Sequence, residues 1–293
     1  MSVTFVHRTT AVVLAWMALL APGVLAADPL LVDAAALKAQ LGAPDLLIVD
    51  MVDEVADYRR GHIQGAVHLD VEDARIPVPG GGFRLPTEDE AARIFAKLGL
   101  TPDTRVIVYD DDRSLNAAWL FYMLEALGHP RVSILDGGIV VWRAAGLPLV
   151  IDTPAIAPTS YRARRQAERV TTAEWIRDHL NDRSVALLDA RSPGEYSGVK
   201  RVARRAGHIP GAINVEWTRN LRPDGTFKPL EALRAMYTAA GITPDKTVVT
   251  YCQTNHRGAH AYFVLRLLGY PRVAGYDRSW AEWGNRDDLP VAR

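Results

Sequence analysis

Short apolar runs alternate with longer stretches of helical period through most of the chain. In the second half, residues 186–189, 212–215, 247–251 and 273–275 are brief apolar runs that read as buried strands. Between them, residues 172–180, 229–240 and 257–268 read as helices. Thr171 or Thr172 ahead of Glu174 supplies a helix start with a capping side chain. Strands this short, alternating with helices, predict a parallel sheet covered on both faces. The expected fold class is α/β.

The pattern occurs twice. Ile48-Val49-Asp50 matches Leu187-Leu188-Asp189, and Gly61-His62-Ile63-Gln64-Gly65-Ala66 matches Gly207-His208-Ile209-Pro210-Gly211-Ala212. Thr101-Pro102-Asp103 and Tyr109 return as Thr243-Pro244-Asp245 and Tyr251, all at an offset of 142. Leu127-Gly128-His129-Pro130-Arg131-Val132 returns as Leu268-Gly269-Tyr270-Pro271-Arg272-Val273. The order is kept throughout, so a whole domain is duplicated; the period is too long for a solenoid. Domains are expected at 27–150 and 169–293. Residues 151–168, with Pro154 and Pro158, suit an extended linker.

The first residues have the layout of a secretory leader. Arg8 precedes an apolar run from Ala11 to Leu20, Pro22-Gly23 breaks it, and small or apolar residues follow up to Ala26. A signal peptide over residues 1–26 is expected, giving a periplasmic or secreted protein. The run is short and interrupted for a membrane span, so no stable membrane insertion is expected, the alternative being an uncleaved anchor. Net charge is zero and no basic tail is present, which argues against nucleic acid as a partner. The cluster from Lys200 to Arg205 is local, and bears only on an anionic small molecule.

The chain has one cysteine, Cys252, and its setting points to chemistry. It ends an apolar run and precedes the polar loop Gln253, Thr254, Asn255, His256, Arg257 and Gly258, after which a helix begins. A thiol there faces backbone N–H groups and the positive end of the helix dipole, which favour the thiolate as a nucleophile. A buried free cysteine acting as a small hydrophobe is the commoner case, but the polar flank argues against it. A lone thiol in an oxidising space has no internal partner and stays free. Cys252, His256 and His260 also have a metal-like spacing, but the loop-to-helix break scatters them and no fourth ligand is evident. No metal or other cofactor is expected.

The Asp-Ala-Arg-Ser segment from Asp189, the Gly-His-Ile-Pro-Gly-Ala segment from Gly207 and the strand–Cys–loop–helix resemble a rhodanese domain. Two in tandem resemble a sulfurtransferase, over nearly all of the expected mature chain. The loop from Cys252 to Arg257 is similar to the Cys-Gln-Thr-x-His-Arg loop of bacterial thiosulfate:cyanide sulfurtransferases, and Trp280-Ala281-Glu282-Trp283-Gly284 to the family's C-terminal signature. The resemblance implies two rhodanese-like domains and a double displacement through a persulfide on Cys252. Thiosulfate is the implied donor, cyanide or a thiol the implied acceptor, and the protein is expected to be a monomer. It also implies a silent first domain, because Asp110, followed by Asp111, Asp112 and Arg113, stands where the second has Cys252. The three carboxylates are expected at a solvated turn rather than at a metal.

Departures from the family bear on the donor. Gln253 and Thr254 follow the cysteine where mitochondrial-type enzymes carry Arg and Lys, the small mercaptopyruvate-type loop is absent, and Glu195 stands where many relatives have a substrate-binding arginine. Positive charge is therefore sought in Arg257, with Arg201, Arg204 and Arg278 as candidate anion contacts. A 3-mercaptopyruvate enzyme and a persulfide carrier without turnover are the alternatives. A phosphatase on this domain shape needs a loop one residue longer, which argues against that reading.

Overall fold

The structure is a computed structural model that describes residues 28–293; the expected leader lies outside the described residues. In the first half, β1 (Leu31–Val32), β2 (Leu46–Asp50) and β3 (Ala66–His68) are followed by a small hairpin of β4 (Ile76–Pro77) and β5 (Phe83–Arg84), then β6 (Arg105–Tyr109) and β7 (Val132–Leu135). The second half has β8 (Val185–Asp189), β9 (Ile213–Asn214), β10 (Thr247–Tyr251) and β11 (Val273–Gly275). The sheets run β1-β7-β6-β2-β3 and β11-β10-β8-β9, and every pairing within them is parallel. Helices flank both sheets, as strands buried on both faces require.

Equivalent registers confirm the duplication. Asp50 pairs with Tyr109 in one sheet, and Asp189 with Tyr251 in the other. The predicted helix over 257–268 is His256–Leu267, and that over 229–240 is Leu230–Ala239. The predicted strand over 212–215 shortens to Ile213–Asn214.

The long helices of the halves, Leu115–Ala126 and His256–Leu267, are buried on nearly every side because each lies between its own sheet and the other helix. Phe121 meets Phe263 edge to face at 4.8 Å, and Tyr122 meets Tyr262 at 4.9 Å. Glu125 accepts from the Tyr262 hydroxyl at 2.8 Å and from Arg266 at 3.0 Å. One hydrophobic core thus runs through both halves. Residues 151–166 lie extended along the first half, tied by Thr159 N–H to the Ala96 carbonyl and Arg164 N–H to that of Leu127.

Each half also sends an arm over the other. The β4–β5 hairpin turns through Gly80, Gly81 and Gly82, all at positive φ, where a side chain would be strained. Leu85 N–H, just beyond it, donates to Asp277 at 3.0 Å. In return, the segment bridged by Leu221 and Phe227 leans on the first half, and Phe227 N–H donates to Asp136 at 2.9 Å. Asp136 and Asp277 are equivalent in the duplication, so the exchange is reciprocal.

Candidate active site

Cys252 follows β10 directly and is 1% exposed. Its N–H donates to Ser279 Oγ at 3.2 Å, and its carbonyl accepts from Trp280 N–H at 3.0 Å. The next carbonyl, of Gln253, accepts from Ala281 N–H at 2.9 Å, and Gln253 Nε2 donates to the Val202 carbonyl at 3.1 Å. The first three bonds tie the start of the loop to the segment following Arg278, and the fourth ties it to the stretch around Val202.

The loop turns into its helix at Asn255, which takes φ of 59° and whose carbonyl accepts from Ala259 N–H at 2.7 Å. Left-handed geometry is tolerable for asparagine. Gly258 is dictated by space: a Cβ there would lie 2.2 Å from Asn255 Oδ1 and 3.1 Å from the Tyr251 backbone. The 12-residue helix from His256 aims its unpaired first-turn N–H groups back at the loop.

Arg257 reaches Glu195 with two bonds, of 2.7 and 2.9 Å. Glu195 is 4% exposed and also closes a capping box with Ser192. Burial alone pushes its carboxyl up, but the Arg257 and Ser192 bonds outweigh this and hold it at about 2. His256 packs edge-on against Trp119 of the first half, 6.4 Å between ring centres. Burial, with Arg75 and Arg257 adding to it, lowers its pKa to about 3, so the imidazole is neutral.

The arm of the first half adds a group that the sequence did not point to. Arg75 Nη2 donates to Thr254 Oγ1 at 2.9 Å, and its guanidinium lies 4.0 Å from the Phe83 ring centre and 5.6 Å from that of Trp119. Buried polar atoms without a partner gather here: Arg75 Nε, Gln253 Oε1, both side-chain atoms of Asn255, His256 Nε2 and Arg278 Nε. Buried polar groups are ordinarily partnered, so this set marks the surroundings of the loop as a place for a polar occupant.

The family model for the rhodanese-like domain matches residues 33–145 and again 172–286. This chain belongs to the rhodanese family. Relatives include proteins named thiosulfate sulfurtransferase from Pseudomonas aeruginosa, 38% identical, and Azotobacter vinelandii, 37% identical, each match covering 90% of this chain and 97% of the relative. The sulfur carrier protein TtuD of Thermus thermophilus is 37% identical, over 85% of this chain and 92% of that protein. Among solved structures, an anaerobic ergothioneine biosynthesis enzyme from Chlorobium limicola, in complex with trimethyl histidine, matches with a TM-score of 0.79. It is 26% identical, over 89% of this chain and 69% of that one.

This rhodanese places the other sequence-derived candidates differently. Arg204 is taken by Asp287 and by the Asn285 carbonyl, and Arg201 donates to the Ala203 carbonyl of its own loop. Among the described residues, neither is bonded to residues 252–258. The loop that carries them is nonetheless adjacent, through the Gln253 bond to Val202. Arg278 stands at the N-cap position of the helix Ser279–Trp283, next to Asp277, and its side chain makes no capping bond. His260 lies between Trp217 and Phe227, apart from the Trp119 contact of His256. Among the described residues, no group of three or more His, Cys, Asp or Glu could hold a metal ion.

The expectation of three solvated carboxylates in the first half needs correction. Asp110 is 1% exposed and accepts N–H bonds from Asp112, Ser114 and Ala117 at 3.1, 2.8 and 2.9 Å. Its carboxylate fills from within the anion cradle that the duplication places at Cys252. Burial pushes its pKa up to about 7 against the pull of those donors. Asp111 and Asp112 do remain partly or fully exposed. The turn is one residue longer than its counterpart, with both Arg113 and Ser114 at positive φ. We therefore expect Asp110→Cys, in a Cys252→Ser background, to gain no sulfur from thiosulfate. The thiolate would face two acidic neighbours in a cradle of different shape. Intact-protein mass after thiosulfate treatment checks this, and a sulfur adduct in that variant would refute it.

Proposed function

We propose that this rhodanese is a thiosulfate sulfurtransferase working through a persulfide on Cys252. The carrying observation is the place of Cys252: a lone thiol just after β10, at the start of a loop that feeds a long helix and is touched by the arm of the other half. The Cys252 thiolate attacks the outer sulfur of thiosulfate. A bond forms between Sγ and that sulfur, the sulfur–sulfur bond of the donor breaks, and its electron pair leaves on sulfite. Cyanide or a thiolate then attacks the persulfide's outer sulfur, and the pair of the breaking bond returns to Cys252. No redox partner enters either step, and the loop N–H groups from Gln253 to Gly258 stabilise the anion in both. Export through a cleaved leader over residues 1–26, and action as a monomer in the periplasm or outside the cell, complete the reading.

A gain of one sulfur on the intact protein after thiosulfate, removed by cyanide as thiocyanate, is the direct test; no gain would end the proposal. The name of the Thermus thermophilus relative favours a second reading, a carrier that delivers its sulfur once. Repeated turnover of thiosulfate with cyanide separates the two.

The loop, which lacks the small mercaptopyruvate-type sequence, favours thiosulfate as donor. We expect kcat/KM for thiosulfate to exceed that for 3-mercaptopyruvate by about tenfold or more, both with cyanide as acceptor. The reverse order would overturn the donor assignment and leave the persulfide on Cys252 standing.

A further inference from the structure

The duplication supplies an internal control for the arm over Cys252. The helix Val71–Ala74 and the 3-10 turn Trp217–Asn220 occupy equivalent places, each leading into its half's arm. The residue that closes the first is Arg75; the one that closes the second is Leu221. Both are 7% exposed. Leu221 joins the apolar core, and the equivalent cradle of the first half is already filled by Asp110. Arg75 brings a guanidinium to the cradle that holds the thiol.

Burying that charge is unfavourable unless something repays the lost hydration, and the protein alone does so poorly. Nη2 has Thr254, Nε has no partner, and the carboxylate beside it, Glu72, is 3.7 Å away on a side chain 62% exposed. Among the neighbouring cations, Arg257 is matched at short range by Glu195 and Arg191 by Asp189 at 2.6 Å, while Arg278 Nε, like Arg75 Nε, has no partner. Burial lowers the Arg75 pKa, while Glu72 and the Cys252 thiolate favour its charged form. Its stacking on Phe83 and Trp119 fixes the guanidinium plane, and Nε is left without a partner.

We propose that Arg75 is the residue that recognises the dianionic end of the donor, holding the sulfonate oxygens of thiosulfate while Cys252 takes the outer sulfur. The inference rests on the reading of Cys252 given above. Thiolate and thiosulfate together bring three negative charges into a desolvated cleft, where a fixed cation acts far more strongly than in water. As the same oxygens depart on sulfite, Arg75 stays in register with them. The specificity of the second half is thus supplied by the first.

The test uses Arg75→Met, with Arg75→Lys beside it. Leu221 marks the equivalent place as one that an apolar residue fills, so the methionine variant should fold with a Tm at or above that of the parent. Its KM for thiosulfate should rise about 10- to 100-fold, as for loss of a charge-assisted pair. Discharge of the preloaded persulfide by cyanide should change less than about threefold, since cyanide has no sulfonate to hold. Methanethiosulfonate, a monoanion, should lose less than thiosulfate, and lysine should restore part of the loss. An unchanged KM, or an equal fall in both half-reactions, would overturn the role of Arg75. So would a lysine variant as impaired as the methionine one. If the parent protein takes up no sulfur from thiosulfate, the reading of Cys252 falls first; if it does and Arg75→Met loads as readily, only this inference fails.

Discussion

Replacing Cys252 with serine is expected to remove sulfur transfer, with thiocyanate formation falling on the order of ten-thousand-fold, to the level of buffer. The chain has no other thiol, so no second residue can carry the persulfide. A hydroxyl is far less acidic than a thiol, and an oxygen–sulfur adduct could not return the sulfur as a persulfide does. The fold should survive. The loop is held by backbone bonds to Ser279, Trp280 and Ala281 that do not involve the sulfur. A slightly smaller, more polar atom at a buried site costs about 1 kcal/mol. Steady-state thiocyanate assay, circular dichroism and intact mass after thiosulfate read these together. A serine variant with activity near that of the parent would remove Cys252 from the mechanism.

What the sequence disclosed and what it hid divide along physical lines. Strands buried on both faces must be continuous apolar runs, so β8, β10 and β11 are legible from composition, and duplication doubles the signal. Cys252 is legible because it is unique and flanked by polar residues. Glu195 and Arg257 lie 62 residues apart, and nothing local distinguishes a paired acid from a solvated one. Asp110 misleads in the opposite sense. In a run of three acids it reads as solvated, yet three N–H donors at the turn draw its carboxylate inside. Arg75 is 179 residues from the Thr254 it touches, and an arm crossing between halves leaves no periodic trace. The triple glycine at 80–82 and the mismatch between Arg75 and Leu221 were the available signals, and both needed an alignment of the two arms.

The pairing of Arg257 changes what its removal should do. On sequence alone, Arg257→Gln should weaken thiosulfate turnover more than folding. With Glu195 nearly enclosed and bonded twice to this guanidinium, stability should suffer as well. The variant leaves a buried carboxylate without its cation, which at pH 7 costs roughly 3–5 kcal/mol. The pH dependence gives the test its sign. In the parent, Glu195 titrates at about 2 against an ordinary value of 4.5, a difference worth roughly 3 kcal/mol. A lowered folded pKa means stability that is fully present above about 4.5 and lost as pH falls toward 2. Without Arg257, burial outweighs the remaining Ser192 bonds, so the Glu195 pKa rises and acid then relieves the variant instead of harming it. Urea unfolding at pH 7 and pH 4 should therefore show a wide gap between parent and Arg257→Gln that narrows on acidification. Glu195→Gln combined with Arg257→Gln should regain much of the stability at pH 7, because neither charge is left buried alone. A gap between parent and Arg257→Gln that is absent at pH 7, or constant across this range, would show that the pair does not hold the loop to the second half.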